Sequence, residues 1–543
     1  MAHGAALAAA LAVSLLAVSG AGGTGTQQTP KRGGTLAIGM PRHLEPGCLN
    51  PYLAECSSNY LDAVLLGAFE VAPDATFRPS LANAEVAATR PFTLRYRIRP
   101  EARWSDGTPV TARDFEFTQQ TIVRHRTSLH PNAAPDHLGR VRTVRALDSK
   151  TVVVVLRDRY VDWRFLFPWV LPHHALAGEE LTDLWKNGID NPKTGAAIGT
   201  GPFLVERVER GKQLVLRRNP RYWGPHAAYL DRIAFRYLDP EDAAEAVRRG
   251  DVDMIDASYP IMQPAALELR KQPTPRIRVV SALQPDWEHF DIRIGAGGHP
   301  ALERRLVRQA LAYGIDRVEI ARIVAEFAGV PASLAEPLDS VVFLPNSHYY
   351  RPSWKGYRYR PKEARRLLER AECRPGADGI YVCAGERLSL RFVAPAVGRR
   401  IRIVQVAQAQ LRRIGVEVET VFGSPGTVFG QVLPKGDFDF ILFGWIGGAG
   451  TAGPYDIFGC QRPQNFTGYC DRLVTRDLRQ ATRILDDERR VQLLNSVDAR
   501  LAKAVPAIPL FQSAGVIAFD TSVRGVTRNG RMMWNVENWW LER

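Results

Sequence analysis

Residues 93–117, TLRYRIRPEARWSDGTPVTARDFEF, admit few conformations. Leu94, Tyr96 and Ile98 alternate with Arg95, Arg97 and Arg99, which is the two-residue period of a half-buried strand. Pro100 ends that strand, because it has no amide hydrogen to give a ladder. Ser105-Asp106-Gly107-Thr108-Pro109 is turn chemistry: an Asp side chain closes a local turn, and Gly takes dihedrals that other residues avoid. Thr111 is a good N-cap, and Asp114 three residues on completes a capping signal. Phe115, Phe117 and Ile122 then mark the apolar side of a helix. A strand, an aromatic turn and a capped helix follow one another without slack, so the chain mixes α and β structure.

The chain has 543 residues, too many for one core and enough for two or three domains. Lys and Arg number 71 against 57 Asp and Glu, a net charge of +14. The basic residues are scattered, with no run of five or six and no RNA- or zinc-type motif, so they read as a basic surface and no nucleic-acid partner is expected. Residues 5–18 are apolar but short for a bilayer, and Ser19-Gly20-Ala21 offers small residues for cleavage. Residues 1–21 therefore read as an export signal, although His3 stands alone where Lys or Arg is usual. Residues 22–32 read as a flexible tether. No cysteine lies near the cleavage region, since the first is Cys48, so a secreted or envelope-associated protein without an N-terminal lipid is expected. No later segment is apolar for long enough to cross a membrane.

The six cysteines fall into three close pairs, Cys48 with Cys56, Cys373 with Cys383 and Cys460 with Cys470. In an exported protein each pair can close a short loop, adding about 2–3 kcal/mol at most. A metal site would need Cys and His at tighter spacing, and no metal or cofactor is expected.

Further motifs follow in order. Gly34 to Gly39 spell a first strand, then Cys48-Leu49-Asn50-Pro51 a turn, with a helix expected over 60–69. Residues 141–156 read as two strands joined at Asp148-Ser149-Lys150. Gly199-Thr200-Gly201-Pro202 is a rigid turn into a strand, and Asn219-Pro220-Arg221-Tyr222-Trp223 an aromatic turn closing a hairpin. A helix over 241–250 ends in Gly, and Trp287-Glu288-His289-Phe290-Asp291 reads as a crossing strand. Residues 300–323, 361–371 and 399–415 carry helix patterns, and 437–443 a buried strand.

W-S-D-G-T-P-V-T-A-R-D-F resembles, nearly residue for residue, the signature of family 5 extracellular solute-binding proteins, the receptors of oligopeptide, dipeptide and nickel ABC importers. The later motifs resemble that family in the same order, over about residues 34–530. The resemblance implies an α/β, two-lobed periplasmic-binding-protein type II fold in its large three-domain (cluster C) variant. Its domains would be 33–66, 186–285 and 511–543 (domain I, discontinuous), 67–185 (domain II) and 286–510 (domain III). It implies a monomer that captures a peptide or peptide-like solute by hinge closure and delivers it to ABC permease subunits, with no chemical step.

Enzyme motifs are weak. Ser424 lies in Phe422-Gly423-Ser424-Pro425-Gly426, which fails the nucleophile elbow at Phe422. Gly448, Gly450 and Gly453 spell G-x-G-x-x-G, but Pro454-Tyr455-Asp456 follows with no clear helix, which favours an irregular loop. The alternative function is a specialised accessory protein or enzyme on the same fold, acting on a small metabolite, for example in a biosynthetic pathway.

Ligand-binding candidates come from the resemblance. Peptide-binding members run from their strand into G-W-x-x-D, whose Asp pairs with the ligand ammonium. Here Gly444-Trp445-Ile446-Gly447 is kept and Gly448 takes the Asp position. The loss removes a charge-assisted bond and opens the backbone of Gly447 and Gly448. This favours a ligand without a free α-amine or a modified amino acid, unless Asp456 substitutes. Glu55 falls where members contact a ligand side chain, and Arg399, with Arg400 beside it, near where some hold a ligand carboxylate. On residue type alone these charges read as solvated surface. Trp287 reads equally as a stacking wall or as core, and His289 as a structural histidine. Trp445 is the strongest candidate, because motif and chemistry agree there.

Overall fold

We describe a computed structural model of the chain at residues 29–53, 56, 60–72, 76–126, 139–256, 260–446, 453–526 and 533–543. The expected export signal and most of the tether lie outside these residues. The motif strand, Phe92–Ile98, pairs with Ala82–Thr89 on one side and Thr151–Leu156 on the other, in a four-stranded antiparallel sheet completed by Val141–Ala146. Leu94, Tyr96 and Ile98 are buried and Arg97 is exposed, as the alternation requires. The capped helix is Ala112–Arg124. Asp114 accepts from the Thr111 amide at 2.7 Å, the His173 amide at 2.8 Å and Trp104 Nε1 at 3.4 Å. One carboxylate thus ties the helix start, the aromatic turn and a later segment together.

The larger sheet has ten strands. In spatial order they are Glu417–Gly423, Ser389–Pro395, Phe440–Ile446, Ile277–Ile292, Ala507–Asp520, Met254–Asp256, Thr35–Pro41, Arg232–Leu238, Gln213–Arg218 and Phe203–Glu209. Its two central strands, of 16 and 14 residues, run antiparallel to each other and serve both halves. At one end Ile277–Ile292 pairs with Phe440–Ile446; at the other, Ala507–Asp520 pairs with Met254–Asp256. Each half has its own core. Leu36, Tyr60, Tyr96, Trp104 and Phe235 belong to the first, and Phe290, Phe392, Leu411, Phe440 and Leu510 to the second. This is the two-lobed binding-protein fold. The central pairing slips between Leu283 and Trp287, where the lobes join, and such a slip bends and twists a strand pair.

The register decides where a ligand can sit. Ser389–Pro395 runs parallel to both Glu417–Gly423 and Phe440–Ile446, and Thr35–Pro41 parallel to both Arg232–Leu238 and Met254–Asp256. Ile446 lies opposite Asp286, and Asp256 opposite Ile517. The C-terminal ends of both parallel groups therefore point toward the junction, and open α/β sheets bind ligands beyond those ends.

Two local expectations are corrected. The helix over 60–69 is a single 3-10 turn, Leu61–Ala63, followed by the strand Phe69–Val71. The Val64 carbonyl, which a helix would use, accepts the amides of Thr200 and Gly201 at 3.0 and 2.9 Å. The pattern over 300–323 divides into Arg305–Gly314 and Arg317–Ala328, because Asp316 caps the second helix through the amides of Val318 and Glu319. Helix Ala243–Arg249 stops at Gly250, whose φ of 79° suits glycine. Pro361–Arg370 and Gly398–Arg413 are helices. Among the described residues, disulfides join Cys48 to Cys56, Cys373 to Cys383 and Cys460 to Cys470, and no helix is long and apolar enough to cross a membrane.

Candidate functional site

Where the lobes join, alternation sorts the side chains of Ile277–Ile292 onto two faces. Trp287 lies opposite Trp445 and His289 opposite Phe443 on one face; Asp286 lies opposite Ile446 and Glu288 opposite Gly444 on the other.

The second face is charged. Arg399 and Arg400 sit in the first turn of Gly398–Arg413, directly after the strand Ser389–Pro395. Arg400 donates from Nε to Glu288 Oε2 at 3.0 Å and from Nη2 to Oε1 at 2.8 Å; Arg399 Nη2 donates to Oε1 at 2.6 Å. Glu288 is 1% exposed and Arg399 5%. Burial alone would raise the Glu288 carboxyl, but the Arg400 and Arg399 guanidiniums overcome it and lower it to about 2. Gly444 makes room for this cluster: a Cβ there would lie 3.3 Å from the Trp287 carbonyl oxygen and 3.6 Å from both Arg400 Nη2 and Glu288 Cδ. Two cations share one carboxylate. Burial raises the carboxyl of half-buried Asp286 against the pull of Ser513 and Arg399.

The first face is aromatic. Ring centroids step from Trp287 to His289 at 4.6 Å, His289 to Phe443 at 4.5 Å and Phe443 to Trp445 at 5.1 Å; Trp445 then stacks parallel to Phe466 at 6.0 Å. Phe429, 6.3 Å from Phe443, carries the row to the surface. Trp287 and His289 are buried, so Trp287 belongs to the wall's inner layer; His289 Nε2 lies 3.2 Å from Asp291 Oδ1, but neither ring nitrogen makes a hydrogen bond among the described residues. Trp445 is half-buried, and its Nε1 has no acceptor among the described residues. Gln512, opposite Trp287, donates to the Gln284 carbonyl at 2.7 Å and to Asn346 Oδ1 at 3.2 Å.

The family model for bacterial extracellular solute-binding proteins, family 5 (middle), matches residues 76–461. The chain belongs to that family. It is 29% identical to the oligopeptide-binding protein OppA of Mycobacterium tuberculosis over 479 residues, covering 87% of this chain and 78% of that protein. It is 24% identical to the oligopeptide-binding protein AppA of Bacillus subtilis, covering 95% and 93% of the two chains. Among solved structures, the periplasmic EDTA-binding protein EppA superposes with a TM-score of 0.81 at 22% identity, covering 95% of this chain and 98% of that one. At that identity the likeness speaks for the fold.

In this family 5 protein the structure brings Trp287, His289, Arg399 and Trp445 to one edge. Glu55, Gly447 and Gly448 lie outside the described residues. The solvated-surface reading of Arg399 is corrected, because Glu288 draws it in. Asp456 is engaged by Arg462, from Nε at 2.9 Å and Nη2 at 2.5 Å. Gly448 and Gly450 of the glycine stretch lie outside the described residues, and a short helix, Gly453–Phe458, includes Pro454-Tyr455-Asp456, where no clear helix was expected. Sequence reading missed Glu288 and Asp286 as site residues. The available signal was two acids at alternate positions in a strand otherwise rich in apolar residues.

Proposed function

We propose that this chain is the extracytoplasmic receptor of an ABC importer. It captures a peptide or peptide-like solute between its lobes, closes by bending at the central strands, and hands the solute to the permease without chemical change. The observation that carries this reading is that an arginine pair and an aromatic row occupy the two faces of one strand pair at the edge where both groups of parallel strands end. Guanidinium forks match carboxylates, and flat rings take an apolar or planar part of the same ligand. The names of the mycobacterial and Bacillus relatives support a peptide, and that of the EDTA-binding protein shows the fold serving a carboxylate-rich solute. The apolar run at residues 5–18 and the disulfide-bonded cysteines support export to an oxidising compartment. Gly447 and Gly448 follow Ile446 directly in sequence and are assigned to ligand contact through their backbone, and Glu55 to a ligand side chain.

Native mass spectrometry of the secreted protein, followed by denaturation to release its cargo, tests the reading. Short peptides or small amino-acid derivatives are expected. Release of a sugar, or an empty protein that ignores offered peptides, overturns it.

A further inference from the structure

Glu288 is saturated by its neighbours, since it takes three hydrogen bonds from Arg399 and Arg400. Two groups on that face lack a full set of partners: Asp286 has Ser513 but no cation beside it, and Arg399 has an unmatched N–H among the described residues. Asp286, two residues along the strand, is half-buried and has no Arg, Lys or His nitrogen within 4.0 Å among the described residues. Arg399, 5% exposed, keeps its Nε without an acceptor among the described residues. The two are not bonded to each other, but Glu288, two residues from Asp286 on the same strand face, holds the Arg399 guanidinium at 2.6 Å and so keeps it on that face. A spare carboxylate asks for an ammonium, and a spare guanidinium N–H for a carboxylate. Opposite the Asp286 backbone lies Ile446, at the end of the strand where the parallel group opens onto the junction.

We propose that Asp286 and Arg399 together hold the head of a compact zwitterion, with the ligand ammonium on Asp286 and its carboxylate on Arg399. The solute then carries an intact α-amino-acid head. In an extended peptide the amine and carboxylate move apart by about 3.5 Å per residue, so two neighbouring side chains do not meet both. The inference rests on the reading that the protein binds peptide-like solutes, and it narrows that class to side-chain-linked or modified amino acids.

An isomeric pair tests it. γ-Glutamyl-alanine keeps an α-amino-acid head, whereas α-glutamyl-alanine has the same atoms and charge without one. Each is titrated calorimetrically into the full mature protein, stripped of cargo by unfolding and refolding, with tetra-alanine as a third probe. The γ isomer is expected to bind at least about tenfold tighter than the α isomer. Asp286→Asn should weaken the γ isomer by roughly ten- to a hundredfold and leave the α isomer nearly unchanged. Equal binding of the isomers, or preference for the α isomer, overturns the zwitterion head; if tetra-alanine also binds, the receptor reading stands. No binding of any of the three overturns both. If Asp286→Asn does not fold, the isomer ratio of the unaltered protein decides.

Discussion

Asp114 and Glu288 are both buried carboxylates, yet they belong to regions built on opposite plans. Around Asp114, at the heart of the recognisable motif, each acceptor oxygen meets a donor from the same lobe: two backbone amides and one indole. Burial still pushes the Asp114 carboxyl up, and the amides of Thr111 and His173 only partly offset it. Around Glu288 two guanidiniums share one carboxylate and a second acid lies nearby, while on the other face of the same strand pair the Trp445 indole nitrogen has no acceptor among the described residues. Closed accounting of polar groups marks scaffold; a surplus marks a surface meant to be completed by something else. On the proposed function, the most recognisable stretch of this chain is therefore not the one that meets the ligand.

Four measurements break or sharpen that contrast. Glu288→Ala leaves two buried guanidiniums unpaired and is expected to cost about 3–5 kcal/mol in urea unfolding; a loss below about 1 kcal/mol would mean that water already screens the cluster. The second is acid titration of stability. Glu288 titrates at about 2 when folded and near the ordinary glutamate value when unfolded. Its contribution is full above pH about 4.5 and is lost as pH falls toward 2. The difference between the unaltered protein and Glu288→Gln should shrink by roughly 3 kcal/mol across that window, and a difference independent of pH would contradict the ion cluster. Asp114→Ala should cost about 2 kcal/mol while leaving ligand affinity within a factor of two; a large loss of affinity would make the motif part of the site. Asp286→Asn should change unliganded stability by less than about 1 kcal/mol, or raise it, because burial disfavours the charged form. A large destabilisation would make Asp286 scaffold like Asp114.

These contrasts also explain what the amino-acid order discloses. The motif strand and its helix were legible because their partners are local: Leu94, Tyr96 and Ile98 set one face, and Asp114 caps from three residues away. The helix expected over 60–69 failed because the Val64 carbonyl is taken by Thr200 and Gly201, far along the chain. Arg399 and Trp445 were marked by resemblance, but their setting was not readable. Glu288 stands 111 residues from Arg399, and only the sheet register brings Gly444 beside Glu288 and Arg400. Residue type alone placed Arg399 at the surface because a lone arginine is usually there. The aromatic row was half visible: Trp287 and Trp445 were named, whereas Phe429, Phe443 and Phe466 come to them through tertiary contact.

The paired central strands have a consequence for how such a protein can be altered. The chain leaves the first lobe along Ile277–Ile292 and returns along Ala507–Asp520, and Asp291 and Ala507 face each other across the ladder. Residues 293–506 are thus a detour whose entrance and exit are adjacent, about one strand spacing apart. A detour of that kind can be exchanged for one from a relative with two splices side by side, leaving the partner lobe's backbone uncut. New cargo preferences could then arise by trading one jaw, with the other jaw inherited intact.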